Sequence, residues 1–438
     1  MSDSRPGKIS RSMGNDPGVT GPGLSRRALV RNGFLGLGLV ASGHWLVGCR
    51  QHDYPTGSSA GLQPQIPALG PLQANADAND LRLPEGFASR VIATSGSKPF
   101  AGSDYVWHRN PDGAAVFRAA EGGWIMASNA ENNFGFGGVG AIRFSASGEV
   151  IDSYSILSGT SRNCAGGPTP WGTWLSCEEV SRGRVYECDP AGVEAAVGYP
   201  GMGLFNHEAA AVDPATNLIY QTEDRSDGGF YRFRPSNPAL GGRPDLGSGT
   251  LEIAIVQDLP AVLAGGSSAV SWATIPRPAP SSSQTSTRKQ VAGATRFYRG
   301  EGAWYANGLI YFATTGRSSQ PWQQRIWAYE VATDSLSLVY DRDTFGPGGV
   351  LTKPDNLTIS PGGDVVVAED GGDMQIVAIT PAGNLVPLVQ VVGHNGSEIA
   401  GPVFDPSGTR LYFSSQRGPD TDPDDRGITY EVTGPFFA

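Results

Sequence analysis

The chain has 438 residues, a formal net charge of −10, 61 glycines and 33 prolines. This acidic balance excludes the basic face that nucleic-acid-binding proteins present, so we expect no nucleic-acid partner. Short runs of Val, Ile, Tyr, Phe and Trp lie between glycine- and proline-rich turns, and few segments have helical periodicity. The sequence therefore predicts an all-β fold.

The N-terminal residues 1–49 are predicted to be an export signal. Arg26-Arg27 forms a twin-arginine pair, and the short apolar run 34–47 is typical of a signal-peptide core. Residues 46–49 are similar to a lipobox, which makes Cys49 either a lipidated first residue or incidental to a plain cleaved signal. We expect export by the twin-arginine pathway and a periplasmic or cell-surface protein whose only membrane attachment is this anchor.

Residues 50–80 are rich in Gly, Pro, Gln, Ser and Ala, which predicts a flexible linker before a domain at 81–438. We expect this domain to be a monomer. It contains Cys164, Cys177 and Cys188, and a hairpin turn at Arg182-Gly183 would set the last two face to face. They are interpreted as a disulfide or as unlinked thiols, and Cys164 is left unpaired in an oxidising compartment.

A strand, a tight turn and a second strand recur along the domain, which is the repeat pattern of β-propeller blades. The repeats lie at 124–131, 162–179, 208–224, 301–315, 355–370 and 400–417. About six units fit between residue 85 and the C terminus. The sequence therefore predicts a six-bladed β-propeller.

Equivalent positions of these repeats carry acids or a thiol. The first position is occupied by Cys164, Glu208, Glu301 and Asp355, and a second position by Glu179, Glu223 and Glu369. Equivalent positions near the start of an inner strand converge on the central channel, where such anions repel one another unless cations neutralise them. Carboxylates suit calcium, and a thiolate among them suits a transition metal such as iron or zinc. We predict a metal site in the channel.

Arg162, Arg299 and Lys353 each precede a predicted ligand by two positions. In extended chain, residues i and i+2 point to the same side, so these cations are expected at the opening that the ligands face. Basic groups beside metals suit an anionic phosphoryl substrate, and we assign the three a catalytic role. The alternative is that they are solvated charges or ion-pair partners.

The segment from Arg162 to Glu179 resembles the PhoX-type alkaline phosphatases of bacteria. Further matching segments are 206–214, 222–225, 301–302, 355–356, 368–370 and 415–417. The resemblance implies a six-bladed propeller with a buried iron-calcium cluster. It implies a cysteine ligand at Cys164 and glutamate ligands at Glu179, Glu208, Glu301 and Glu369. The first repeat departs from the pattern, because residues 129–131 read Asn-Ala-Glu where Asn-His-Glu is expected.

The sequence thus predicts a metal-dependent phosphatase that hydrolyses small phosphate monoesters with Ca2+ and Fe3+. One alternative is another calcium-dependent propeller hydrolase, such as a lactonase. Asp355 and Asn356 are compatible with it, whereas Cys164 in the ligand ring argues against it. A second alternative is a non-catalytic cell-surface propeller in which calcium only closes the channel.

Overall fold

A computed structural model describes residues 64–316, 323–345 and 350–437 of the chain. The predicted export signal, the lipobox-like residues and the first part of the predicted linker lie outside these residues. In the part that the structure describes, no helix is long and apolar enough to cross a membrane.

The chain enters through two strands that pair much later in the fold, β1 (Leu81–Arg82) and β2 (Ala88–Thr94). The next four strands form an antiparallel sheet in chain order: β3 (Pro111–Arg118), β4 (Trp124–Ala130), β5 (Gly137–Phe144) and β6 (Val150–Thr160). A second antiparallel sheet repeats this meander: β7 (Asn163–Pro168), β8 (Trp174–Glu178), β9 (Val185–Cys188) and β10 (Val197–Gly198).

The middle of the chain forms a larger sheet from two meanders. The first contains β11 (His207–Val212), β12 (Ile219–Glu223), β13 (Phe230–Pro235) and β14 (Gly249–Val256). The second contains β16 (Gly300–Ala306), β17 (Leu309–Thr314), β18 (Arg325–Glu330) and β19 (Ser335–Asp341). The strand β15 (Ser267–Thr274) pairs with β14 on one side and β19 on the other, and so joins the two meanders.

The last two sheets complete the domain. One contains β20 (Pro354–Ile359), β21 (Val365–Glu369), β22 (Gln375–Ile379) and β23 (Leu385–Val391), with β1 on its outer edge. The other contains β24 (Ile399–Phe404), β25 (Arg410–Ser415) and β26 (Ile428–Thr433), with β2 on its outer edge. Short helices occupy Leu259–Leu263 and Arg342–Phe345, and 3-10 turns occupy Ile66–Ala68, Pro200–Met202 and Thr287–Lys289.

The first strand of each meander lies at the common axis. Within the described residues, β3 packs against β7, β7 against β11, β11 against β16, β16 against β20, β20 against β24, and β24 against β3. These contacts close a ring of inner strands, which is a β-propeller-like arrangement. The prediction of an all-β, propeller-like fold is confirmed.

Glycines on the inner strands allow the backbones to approach closely at the axis. A Cβ atom added to Gly113 would lie 2.6 Å from the Cα atom of Ala165, and one added to Gly302 would lie 2.8 Å from the Cα atom of Asn356. Larger residues at these positions would push neighbouring strands apart. The central channel is therefore narrow, and side chains at its opening lie close together.

The hydrophobic core lies between successive sheets rather than in one central mass. The strands β21 and β22 are buried along their whole length, and their sequences VVVAE and QIVAI are correspondingly apolar on both faces. A strand covered by a sheet on each side has no solvent face, so it lacks the alternation of half-exposed strands.

The predicted linker is not free along its whole length. Ile66 is fully buried with Leu388 and Phe436, and the backbone N–H of Gln65 donates to the carbonyl of Phe436 over 2.9 Å. Burial of this apolar side chain anchors the segment on the domain. Residues 65 and 66 of the predicted linker are therefore held on the domain.

Cys177 and Cys188 do not form a disulfide, and both thiols are free and buried. In the β8–β9 pairing, Cys177 lies opposite Val185, whereas Cys188 lies opposite Trp174. Because Val185 and Cys188 are an odd number of residues apart, the two thiols project from opposite faces of the sheet. Of the two alternatives from the sequence, the unlinked thiols are therefore correct.

One buried carboxylate reinforces the pairing of β2 with the C-terminal strands. Glu431 on β26 accepts hydrogen bonds from Arg90 on β2, Arg410 on β25 and the Tyr412 hydroxyl, with donor–acceptor distances of 2.8–2.9 Å. The Glu431 side chain is only 2% exposed. It joins the N-terminal edge strand to the C-terminal strands by charge-assisted hydrogen bonds.

We expect Glu431→Ala to lower the free energy of unfolding by about 3 kcal/mol, because two arginines lose their buried partner. Urea denaturation of the purified protein measures this change. Glu149→Ala is the matched control: Glu149 is 4.0 Å from Arg90 but is 74% exposed, so its loss should cost less than about 0.5 kcal/mol. Equal effects of the two substitutions would contradict this role of Glu431.

Candidate metal centre

The second residue of each inner strand lies at the opening of the central channel. These equivalent residues are Asp112, Cys164, Glu208, Glu301, Asp355 and Ala400. A β-bulge follows the start of each inner strand, as the register shifts on all six strands show. A bulge bends its strand and re-aims side chains, which explains how all of these residues face one point.

Acidic side chains meet at this opening in three overlapping groups. The groups are Asp112–Glu131–Cys164, Cys164–Glu179–Glu208 and Glu208–Glu301–Asp355, and within each group one potential ligand atom per residue lies within 4.8 Å of the others. All seven side chains are buried. We call these seven residues the candidate metal centre. Cys164 and Glu208 each belong to two groups, so the groups form one continuous cluster.

In each unit, the backbone N–H of the residue after the second strand donates to the carbonyl of the residue just before the inner strand. The N–H of Glu179 donates to the Arg162 carbonyl, that of Asp224 to Asn206, and that of Asp370 to Lys353, over 2.8–3.2 Å. The equivalent residues of the six described units are Glu131, Glu179, Asp224, Thr315, Asp370 and Gln416. This repeated bond holds the second ligand position beside the first.

Glu223 and Glu369 lie one residue before this position, so their predicted equivalence with Glu179 is wrong. The pairings set Glu223 opposite His207 and Glu369 opposite Pro354, and the one-residue difference turns both side chains to the other face.

Hydrogen bonds from neighbouring side chains and backbone N–H groups hold the carboxylates of Glu223 and Glu369 on that face. Glu223 accepts from the Tyr231 hydroxyl at 2.6 Å and from Arg288 at 3.0 Å. Glu369 accepts from the backbone N–H groups of Thr352 and Gln375 at 2.6 and 2.9 Å. The structure thus brings Glu179, Glu208, Glu301, Asp355 and Cys164 together and leaves Glu223 and Glu369 outside the candidate metal centre.

Sequence reasoning missed Asp112 and Glu131. The Asp112 Oδ2 atom lies 3.7 Å from the Cys164 sulfur, and Glu131 is bonded to Arg162. The signal for Asp112 is present in the sequence, because Pro111-Asp112 matches Pro354-Asp355 at the start of β20. It was hidden because β3 and β4 are longer than β7 and β8, which lengthens the spacing from Asp112 to Glu131.

The backbone of Cys164 is fixed by the side-chain amide of Asn129. The Asn129 Nδ2 atom donates to the carbonyls of Cys164 and Ala165 over 2.9 and 2.8 Å. Its Oδ1 atom accepts from Trp174 Nε1 and the Ser176 hydroxyl. Because the amide is buried and bonded on both ends, the bulge that aims Cys164 has one defined geometry.

Burial raises the pKa values of Asp112, Glu179, Glu208, Glu301 and Asp355, and the charges of neighbouring carboxylates raise them further. The pKa of Glu179 is raised to about 8 and that of Asp355 to about 7, first by burial and then by neighbouring carboxylates. Burial and the charges of Asp112 and Glu208 also raise the pKa of the Cys164 thiol well above its usual value. Anions in this cluster therefore require bound cations or protons.

The donor set fits hard cations together with one softer metal. Six carboxylates offer oxygen ligands of the kind that calcium prefers, and the Cys164 sulfur is a ligand for iron or zinc. Among the described residues, the buried Oε1 atom of Glu208 has no hydrogen-bond partner. An unpaired buried carboxylate oxygen between two acidic groups is a position that a cation would satisfy.

The three predicted cations differ in their surroundings. Arg162 is ion-paired with Glu131 and Glu179, and Arg299 contacts Asp224 at 2.9 Å and Glu301 at 3.2 Å. Lys353 is exposed and has no ion pair within the described residues. All three have a positive φ of 40–54°, which is disfavoured for residues other than glycine. The backbone is therefore strained at these three residues, where the chain turns toward the opening.

Comparison with known proteins adds a family match and structural matches. The family model described as alkaline phosphatase PhoX matches residues 145–190 and 181–419. No sequence among the curated proteins matches this chain.

The structure is similar to Pseudomonas fluorescens PhoX in complex with vanadate, a transition state analogue. The TM-score is 0.67 and the identity 17%, over 84% of this chain and 98% of that chain. A gluconolactonase from Xanthomonas campestris aligns with a TM-score of 0.41 and 12% identity, over 84% of this chain and 97% of that one. The first likeness shows the fold, and the second is too weak to carry an argument.

We expect the metal-free protein to lose stability as the pH rises. The pKa values of Glu179 and Asp355 are about 8 and 7 in the folded state, above their ordinary values of 4.5 and 3.8. The folded state therefore binds more protons than the unfolded state between these values, and the free energy of unfolding falls as the pH rises through this range.

Thermal unfolding of chelator-treated protein between about pH 5 and pH 9 measures this effect. Glu179→Gln should flatten the pH dependence, because it removes one of the titrating groups. An unfolding temperature that rises over this range, or a Gln variant with the unchanged slope, would show that the cluster does not carry unfavourable charge.

Proposed function

Because the chain belongs to the PhoX alkaline phosphatase family and is therefore a phosphatase, we propose that it hydrolyses phosphate monoesters at the candidate metal centre with calcium and iron. The observation that carries this proposal is the buried cluster of six carboxylates and the Cys164 thiol. A cluster of this kind is costly without cations, and cations are what a phosphoryl group requires for binding.

Two parts of the cluster are suited to different metals. We assign iron to the side that contains Cys164, with Asp112, Glu131, Glu179 and Glu208 around it, and calcium to the all-oxygen group of Glu208, Glu301 and Asp355. Glu208 belongs to both sides. When bound, such cations polarise phosphate oxygens and lower the pKa of water.

The three cationic side chains would have different roles in the site. Arg162 is neutralised by Glu131 and Glu179, so its role is to hold these two carboxylates in position. Arg299 is held by Asp224 and Glu301, and its 39% exposed side chain reaches the opening. Lys353 lacks an ion pair among the described residues and is the cation most available to a phosphate oxygen.

We propose that the propeller has six blades. The ring of contacts among β3, β7, β11, β16, β20 and β24 supports this count for the described residues. The larger sheet would then be two blades that share the edge strand β15.

We also propose export by the twin-arginine pathway to the periplasm or cell surface, with Cys49 as the site of lipid attachment. The support is the sequence of residues 1–49, where a twin arginine precedes an apolar run and a lipobox-like ending. The proposed mature enzyme is a monomer that acts on small phosphorylated molecules.

The test of the proposed function is hydrolysis of p-nitrophenyl phosphate at alkaline pH. We expect activity that requires calcium, with iron and calcium both present by metal analysis, and complete loss of activity in Cys164→Ala. Cys177→Ala is the matched control, because Cys177 is also buried and free but packs between sheets. Unchanged turnover in Cys164→Ala would remove this residue from the site.

We expect Lys353→Ala to reduce kcat/KM roughly ten- to hundredfold, the usual effect of losing one charge-assisted hydrogen bond. Steady-state kinetics with p-nitrophenyl phosphate measure this loss. Lys289→Ala is the control, because Lys289 is also exposed but is paired with Asp227 at 3.4 Å. If both variants lose activity equally, Lys353 has no specific contact with the phosphate.

A further inference from the structure

The loops that connect the second and third strands of each unit surround the opening of the central channel. Strands alternate in direction, so these loops leave from the end where the inner strands begin. Each loop begins with the residue whose N–H donates to the carbonyl just before the inner strand, such as Glu131, Glu179 or Asp370. We call these loops the rim.

One rim loop differs from the others in its chemistry. The loop between β4 and β5, residues 131–136, carries Phe134 and Phe136, whose exposed fractions are 91% and 78%. Three other rim loops carry exposed charged residues, which are Arg182, Asp373 and Asp420. Among the described rim residues, these two phenylalanines are the exposed large apolar side chains.

Packing does not explain these two side chains. They are almost completely in solvent, where an aromatic ring has no partner and its contact with water is unfavourable. Phe134 also has a φ of 58°, a left-handed conformation that is uncommon for a bulky residue. Exposed, strained residues beside a site are typical of ligand contacts.

The loop is held firmly beside the candidate metal centre. The Asn132 carbonyl accepts from the Arg162 N–H over 2.7 Å, and Asn132 Nδ2 donates to the Arg109 carbonyl over 2.9 Å. The Gly135 N–H donates to the Ser161 hydroxyl over 2.9 Å. A contact surface that is fixed before binding loses little conformational entropy when it meets a ligand.

The short distance between Phe134 and the candidate metal centre limits the size of the ligand group that can contact the two phenylalanine rings. Phe134 is three residues from Glu131, so at most about 10 Å of chain separates it from the candidate metal centre. That length corresponds to one small organic group attached to a phosphate bound at the centre. We propose that Phe134 and Phe136 contact the alcohol part of the substrate and favour monoesters whose alcohol carries an aromatic or other apolar group.

This inference rests on the proposed function and adds its substrate class. The phosphate is common to all monoesters and is recognised by charge, whereas the alcohol is the part that differs among them. Aromatic side chains bind apolar groups through burial and through stacking. They would discriminate between esters without changing the chemistry at phosphorus.

The test compares kcat/KM for 2-phenylethyl phosphate and glycerol 1-phosphate. Both are esters of primary alcohols, so their leaving groups are similar in basicity and differ mainly in apolar character. We expect the double variant Phe134→Ser/Phe136→Ser to lower the ratio of kcat/KM, phenylethyl over glycerol ester, by roughly three- to tenfold. The double variant Phe134→Tyr/Phe136→Tyr, which keeps both rings, should retain the wild-type ratio.

Val193→Ser is the matched control. Val193 is 86% exposed and lies in the loop between β9 and β10, at the opposite end of the propeller, so the variant should keep the wild-type ratio. An unchanged ratio in the serine double variant would overturn the inference and leave the proposed function intact. If the wild type hydrolyses neither ester, the proposed function fails, and this inference fails with it.

A lipid surface is the alternative binding partner of Phe134 and Phe136. An unchanged ratio, together with sedimentation on phosphatidylglycerol vesicles by the wild type but not by the serine double variant, would assign Phe134 and Phe136 to a membrane. That outcome would overturn the substrate role.

Discussion

The structure depends on one electrostatic constraint, which is the concentration of buried acids at the opening of a narrow channel. Seven acidic side chains meet in overlapping groups, and burial raises the pKa of each group for which a shift is resolved. Such a cluster cannot be explained by stability, because apolar residues of similar size would cost less. Its presence in the middle of an otherwise apolar scaffold identifies the opening as the working part of the molecule.

The scaffold meets this constraint by repeating one local geometry. Each inner strand begins with a bulge, and glycines such as Gly113 and Gly302 let neighbouring strands approach at the axis. The N–H of the residue after each second strand donates to the residue before the bulge. Together these features place two side chains per unit at the opening, whatever those side chains are. The chemistry can therefore vary while the backbone stays constant.

The repeat pattern was sufficient to predict the fold class and the convergence of Cys164, Glu208, Glu301 and Asp355. It was insufficient for the second position, because the β11–β12 connection (residues 213–218) is one residue longer than the β7–β8 connection (residues 169–173), so a constant spacing reaches Glu223 instead of Asp224. A one-residue error in a strand exchanges its faces, and this is why Glu223 and Glu369 were misplaced. The same register problem explains the pairing of Cys177 opposite Val185 rather than Cys188. Spacing predicts which units are equivalent, whereas side-chain direction requires the hydrogen-bond register.

The repeated units share a backbone geometry in the described residues but differ in charge at the second position. Four of these positions supply acids, which are Glu131, Glu179, Asp224 and Asp370, whereas the equivalent Thr315 and Gln416 supply donors instead. The Gln416 amide donates to both Asp112 and Glu131 over 2.7 and 2.8 Å, and the Thr315 hydroxyl donates to Glu301 over 2.6 Å. These neutral donors stabilise carboxylates without adding to the net charge. Because the overlapping acidic groups share Cys164 and Glu208, the repeated scaffold produces one continuous cluster with these two residues at its middle.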